Sequence, residues 1–320
     1  MPGIIDLLLT PPTLEKEVFV EHTNEVVLLD KNPYARKLPL VEYGVPREFF
    51  RDFEDIPPPR ADTLVLNIKE AVVETRTEVE TKTKELMPHS KLTLRTNYTT
   101  MRSQFALRSW VPKLSREKGV QGAQERELLL QYVLPVGGVM ITETADGQIL
   151  MEERGKVEIP GKYHPAPAGG CETRDEQAFP EPFRSIQGEA WEETALLPGR
   201  DYGTLTLVGI VRDQTEAFNP TFIYYAKTNL LLETVRKNAD SIAPEAGEHQ
   251  RLFGAPVSEE LLLDFCAQNS PRLIGNGLGS LLALGHGRYG PEWLSHAEKL
   301  LGEQGWEIIT YSDRFPHRRR

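Results

Sequence analysis

Residues 160–197, PGKYHPAPAGGCETRDEQAFPEPFRSIQGEAWEETALL, constrain the fold more than any other stretch of the chain. Within them GEAWEETAL sets Glu189, Glu192 and Glu193 at i, i+3 and i+4. On a helix that spacing confines the three carboxylates to an arc of roughly 100°. Phe183, Ile186, Ala190, Thr194 and Leu197 form an adjoining stripe at helical spacing, so a helix over 183–196 would turn one side to a core. Like charges this close repel unless a cation sits between them, and hard divalent cations take oxygen ligands. Spacing alone fits two readings equally, a metal-binding acidic helix and a solvated acidic face. Ahead of the helix, PAGG at 167–170 is a small-residue turn where backbone can approach a ligand or metal, and Glu172, Asp175 and Glu176 follow.

The rest of the chain bounds the class. Its 320 residues suffice for one large or two small domains, and 39% hydrophobic with 26% charged residues is ordinary globular composition. A net charge of −10 argues against bulk nucleic-acid or anionic-membrane binding, which needs excess Lys and Arg. A small anionic nucleotide is still admissible, because local cations and a metal outweigh distant net charge. Cys171 and Cys266 lie far apart and in no C-x-x-C arrangement, which excludes a disulfide scaffold or cysteine-zinc site and suits a reducing compartment. The apolar run Ile4 to Leu9 is too short for a membrane span or signal segment and lacks a basic lead. The expectation is a cytoplasmic protein with no membrane and no nucleic-acid partner. The basic end, His317–Arg320, reads as a solvated tail.

Along the chain, residues 1–60 are punctuated by proline and read as irregular segments with short elements. TLVLNI (63–68) and the period-two stretch 71–83, rich in Val and Thr, read as strands with one charged face in water. Pro88–Ser90 reads as a turn and LTLRTNYT (92–99) as a further strand. Residues 101–117 are basic and carry Phe105 and Trp110; a helix packed by its aromatics fits better than a nucleotide-binding surface. A boundary falls at the polar GVQGAQERE, 119–127, dividing a β-rich region (1–120) from a second domain (121–320). From 128 strands follow in LLLQYVLP, GGVMITET and QILMEER, the last two joined at Asp146–Gly147. GTLTLVGIVR (203–212) and TFIYYAK (221–227) are strand-like, LLETVRKN opens a helix, and VSEELLLDFCAQ (257–268) repeats apolar residues at helical spacing. The end reads as helices 277–286 and 291–304. GNGLGS before the first misplaces the third glycine of a phosphate-cradling G-x-G-x-x-G, so close helix packing accounts for its glycines.

Taken together, 160–197 resembles the Nudix hydrolase signature G-x5-E-x7-R-E-U-x-E-E-x-G-U, where U is aliphatic. Gly170 and Glu176 match the first half, and Glu189, Ala190, Glu192, Glu193 and Leu196 the second. There are three departures. Eleven residues, 177–187, separate the halves instead of seven; Gly188 stands for the arginine; Ala195 stands for the glycine. The arginine usually orients a glutamate by a charge-assisted pair, so its loss bears on the site.

The resemblance implies an α/β fold, a Nudix α/β/α sandwich with a mixed sheet, here with an N-terminal β-rich region and C-terminal helices. It implies hydrolysis of the diphosphate bridge of a nucleoside diphosphate linked to another moiety. The order of elements over 90–300 is diffusely similar to the branch acting on UDP-sugars, with ADP-ribose the competing substrate. Magnesium, with manganese as alternative, would be held by Glu189, Glu192 and Glu193 and by the carbonyl of Gly169. Glu193, Glu176 and Glu248 compete for the general base. In Nudix proteins a glutamate before the last core strand often enters the site; Glu248, ahead of LFGAPV, is preferred to Glu245, with a solvated loop acid as the alternative. Arg212 and Lys162 or His164 are candidates to hold phosphates, against the plain reading of surface cations. The partner is a small nucleotide diphosphate derivative, and a homo-oligomer is left open. Two other classes fit: an idle Nudix module sensing a nucleotide, favoured by Gly188, Ala195 and the longer loop, and a scaffold whose residues 1–120 are the interface.

Overall fold

The computed structural model describes residues 3–9, 21–26, 64–79, 86–100, 136–155, 159–171, 182–213 and 220–310. The expected helix at 101–117, the boundary at 119–127, the strand at 128–135 and the basic tail lie outside them.

One large mixed sheet organises the described residues. Its strands are β1 (Ile4–Leu9), β5 (Gly137–Glu143), β6 (Gln148–Arg154), β7 (Tyr163–Pro165), β8 (Ala168–Gly170), β9 (Thr206–Asp213), β10 (Pro220–Lys227), β11 (His249–Pro256) and β12 (Glu307–Thr310). They run in the order β11-β6-β5-β10-β9-β1-β12, with β7 added to β6 and β8 to β5. The pairs β5–β10 and β1–β12 are parallel and the other pairs antiparallel. β5 and β6 meet at the hairpin read at Asp146–Gly147, where Gly147 holds φ +71°.

Because the sheet is covered on both faces, its central strands are apolar on both sides rather than alternating apolar and polar. Val139, Ile141 and Ile223 point to one core, and Met140, Phe222 and Tyr224 to the other. The helix α1 (Pro182–Thr194) and α2 (Leu232–Ile242) cover the second face through Ile186, Ala190, Val235 and Ala239. The first face is covered by α3 (Glu259–Asn269), α4 (Gly275–Tyr289) and α5 (Pro291–Gly302), which bring Leu262, Leu278, Leu282, Trp293 and Leu301. This is the α/β/α sandwich with a mixed sheet. The glycines of GNGLGS lie in the first turns of α4, where Gly277 packs on His164 and Gly279 on Ile5 and Val211. Their smallness lets the helix lie close on the sheet.

One short N-terminal element gains a definite place, and the sequence reading is corrected at two others, the first being that 63–68 and 71–83 are not separate strands but run as one over Leu64–Val79. Ile4–Leu9 is a sheet strand, paired antiparallel with β9 and parallel with β12, with Ile5 and Leu7 wholly buried. The segment Pro88–Ser90 is not a turn. It lies inside β4 (Leu86–Thr100), which pairs with β3 (Leu64–Val79) and β2 (Glu21–Val26) in a separate three-stranded sheet. Among the described residues the β2 register reaches only to Lys91, and the neighbour paired with Pro88 is Thr77 of β3. A strand edge tolerates proline because no ladder hydrogen bond is demanded of its nitrogen there.

Candidate functional site

The helix expected over 183–196 forms at 182–194, with Pro182 as its first residue. Proline suits that place, since its fixed φ is helical and an N–H there has no partner within the helix. Ile186, Ala190 and Thr194 are buried and fasten one side to the sheet. The acidic side then faces β8 and the turn at Ala246–Glu248.

Glu189, Glu192 and Glu245 each offer a carboxylate oxygen, and the three oxygens lie within 4.8 Å of one another. All three residues are partly exposed. Gly169 stands directly against this group. A Cβ there would come within 2.6 Å of both Glu189 carboxylate oxygens, so only glycine lets strand and carboxylate approach this closely. The donors are all carboxylate oxygens, without sulfur or nitrogen, which is the set a hard divalent cation prefers.

Glu193 is placed differently. It is 3% exposed, and its Oε2 accepts the Ala168 N–H at 3.1 Å. Burial pushes its carboxyl well above the usual range, and the nearby Glu152 and Glu189 charges add to this against the Ala168 hydrogen bond. Glu193 thus ties α1 to β8, while Glu245 completes the three-oxygen group. Glu248, half-buried, follows three residues on; burial first, then Glu245, raise its carboxyl above the ordinary value. Glu176 lies outside the described residues.

The candidate phosphate-holding cations are scattered. Lys162 donates from Nζ to the Pro271 carbonyl at 2.9 Å. His164 is buried between the Pro165 carbonyl (Nδ1, 2.8 Å) and Asn276 (Nε2, 3.1 Å). Burial, then the Arg154 charge, lower its pKa to about 4, so it is neutral at pH 7. Arg212 is 7% exposed. Ile210 belongs to the core under α1 and Val211 to the opposite one, so strand alternation carries Arg212 to the α1 face.

Beneath the carboxylates lies a polar network that the sequence did not reveal. Glu152 on β6 is 2% exposed. It faces His249 at 2.5 Å and Arg154 at 3.3 Å, and His164 lies 3.9 Å away. Burial alone would raise Glu152, yet the His249 hydrogen bond and Arg154 charge hold it below its ordinary value. Burial alone would lower His249, yet the hydrogen bond and charge of Glu152 raise it. The one available signal was an acid at 152 two residues after Leu150, hence on the same buried face of a strand.

No protein-family model matches the chain, and no curated protein matches it. The structural comparisons return Nudix and MutT proteins. The Nudix domain of Shewanella oneidensis NrtR, solved with ADP ribose, aligns at 15% identity over 48% of this chain and 86% of its own, with a TM-score of 0.33. A mutT/nudix family protein from Listeria innocua aligns at 17% identity over 46% of this chain and 89% of its own, at 0.31. A Caenorhabditis elegans Ap4A hydrolase binary complex aligns at 14% identity over 52% and 98%, at 0.28. What the chain itself displays is an α/β/α sandwich: a mixed sheet between helices, a glycine strand at 168–170, and an acidic helix laid against it.

Proposed function

We propose that the chain is a metal-dependent pyrophosphohydrolase of the Nudix type, cleaving the diphosphate bridge of a nucleoside diphosphate joined to a second group. The observation that carries this reading is the convergence of Glu189, Glu192 and Glu245 within 4.8 Å beside Gly169. Three carboxylate oxygens so close form the all-oxygen donor set that a hard divalent cation takes.

Glu189, Glu192 and Glu245 would hold the cation, with the Gly169 carbonyl a further candidate ligand and Glu193 bracing the helix against β8. Magnesium suits an all-oxygen set, with manganese as the alternative. When bound, such a cation neutralises phosphoryl oxygens and acidifies a water. The chain's own part is to place acceptors for that water's proton, and Glu248, Glu193 and Glu176 are the candidates. Arg212, on the α1 face, is the candidate to hold phosphate. Lys162 is a second, while buried neutral His164 supports α4 instead.

Within this class a UDP-sugar is the proposed substrate, giving UMP and a sugar 1-phosphate, and ADP-ribose is the competitor. The test is a panel of nucleotide diphosphate derivatives with magnesium, products read by mass spectrometry. UMP with glucose 1-phosphate from UDP-glucose is expected. UDP with free glucose would mean glycosidic cleavage and refute the mechanism. Gly188 in place of the signature's arginine favours a second reading, a nucleotide sensor, which would bind a panel member without turning it over.

A further inference from the structure

The last turn of a helix leaves carbonyls without partners inside the helix. In α1 the 245–249 segment takes two of them. The Glu192 carbonyl accepts the Glu245 N–H at 2.8 Å, and the Glu193 carbonyl accepts Nε2 of His249 at 3.2 Å. Between these stitches runs the turn Ala246–Glu248, closed by the Glu248 N–H on the Glu245 carbonyl at 3.0 Å. The other ring nitrogen, Nδ1, faces Oε2 of Glu152 at 2.5 Å. The Glu193 carbonyl can only accept, so Nε2 donates to it, while Nδ1 shares a hydrogen bond with the Glu152 carboxyl group. The two side chains are 4% and 3% exposed, so solvent competes little for either bond. Rotating the ring would break both.

We infer that His249, oriented by Glu152, is a positioning residue for Glu245. It fastens the 245–249 segment to the end of α1 and so sets where the Glu245 carboxylate stands relative to Glu189 and Glu192. The inference rests on reading those three carboxylates as a cation site. His249 needs no contact with substrate to act in this way.

Mn2+ binding to the full chain, read by electron paramagnetic resonance with no nucleotide present, tests this. Removing a group that orients a ligand weakens metal affinity by about 10–100-fold, and His249→Ala and Glu152→Gln are expected to show that loss. His249→Gln, whose amide can reach the place of Nε2, should recover part of it. Glu245→Gln combined with His249→Ala should bind no more weakly than Glu245→Gln alone, because His249 acts through Glu245. Wild-type affinity in His249→Ala, losses that simply add in the double variant, or no Mn2+ bound by the unaltered chain would each overturn the inference. If His249→Ala does not fold, His249→Gln and Glu152→Gln carry the same cycle, and loss of fold in all three assigns His249 to the core and overturns it. Mn2+ binding that follows the cycle, in a chain that hydrolyses nothing in the panel, leaves the inference standing and removes only the hydrolase reading.

Discussion

Ala195 holds φ at +56°, where its N–H closes α1 on the Trp191 carbonyl at 3.0 Å. The signature has glycine here because a helix commonly ends in the left-handed region. The alanine costs about 1–2 kcal/mol in that conformation. Against this stand a buried methyl, ~0.8 kcal/mol, and the chain entropy that glycine would add, ~0.4–1 kcal/mol. The terms nearly cancel, so this departure leaves the helix end intact. Ala195→Gly should therefore shift unfolding free energy by less than about 1 kcal/mol, while Ala195→Val, β-branched in the same conformation, should cost more than about 2 kcal/mol. Urea denaturation of both variants decides it. Gly169 is the opposite case, a glycine with no tolerance. Gly169→Ala drives a methyl into the Glu189 carboxylate, so hydrolysis and Mn2+ affinity should fall about tenfold or more while circular dichroism stays native. An alanine variant as active as the parent would break the link between this glycine and the cluster.

Among the elements, β1 shows how far sequence distance and structural role can diverge. Its six residues stand between β9 and β12, with Ile5 and Leu7 at 0% exposure in the core beneath α4. Leu7→Ala should lower stability by about 2–5 kcal/mol, the usual cost of emptying a packed leucine site. An unchanged denaturation midpoint would mean that this strand is dispensable.

Across the whole molecule, the end of β5 is tied to α4 by a charge network away from the carboxylate cluster. Glu143, 5% exposed, accepts from Arg288 at 2.6 Å and Tyr225 at 2.8 Å and pairs with Lys227 at 3.1 Å. Burial would raise its carboxyl, but the Arg288 and Tyr225 hydrogen bonds and the Arg288 charge win, holding it below the ordinary 4.5. A lowered folded-state pKa gives stability that is present above the unfolded value and lost as pH falls through the folded one. Unfolding free energy should thus decline below about pH 4.5, and Glu143→Gln should be less stable at neutral pH with a shallower acid decline. Identical pH slopes in the two proteins would remove Glu143 from the acid response.

The local part of the architecture was legible in the sequence because it depends on spacing. Carboxylates at i, i+3 and i+4 share a helix face wherever that helix is placed, and period-two or unbroken apolar runs make strands before any partner is known. Glycine ahead of the acidic helix was legible too, as a place of close approach. Tertiary structure alone decided which distant groups meet. Glu152 and His249 lie 97 residues apart and touch because β11 pairs with β6 in the register His249 to Arg154 and Leu252 to Glu152. That register, with the orphan carbonyls of α1, brings Glu245 rather than Glu248 to Glu189 and Glu192. Burial supplied the remainder: it neutralised His164 and turned Glu193 inward onto the Ala168 N–H, and neither outcome can be read from residue type.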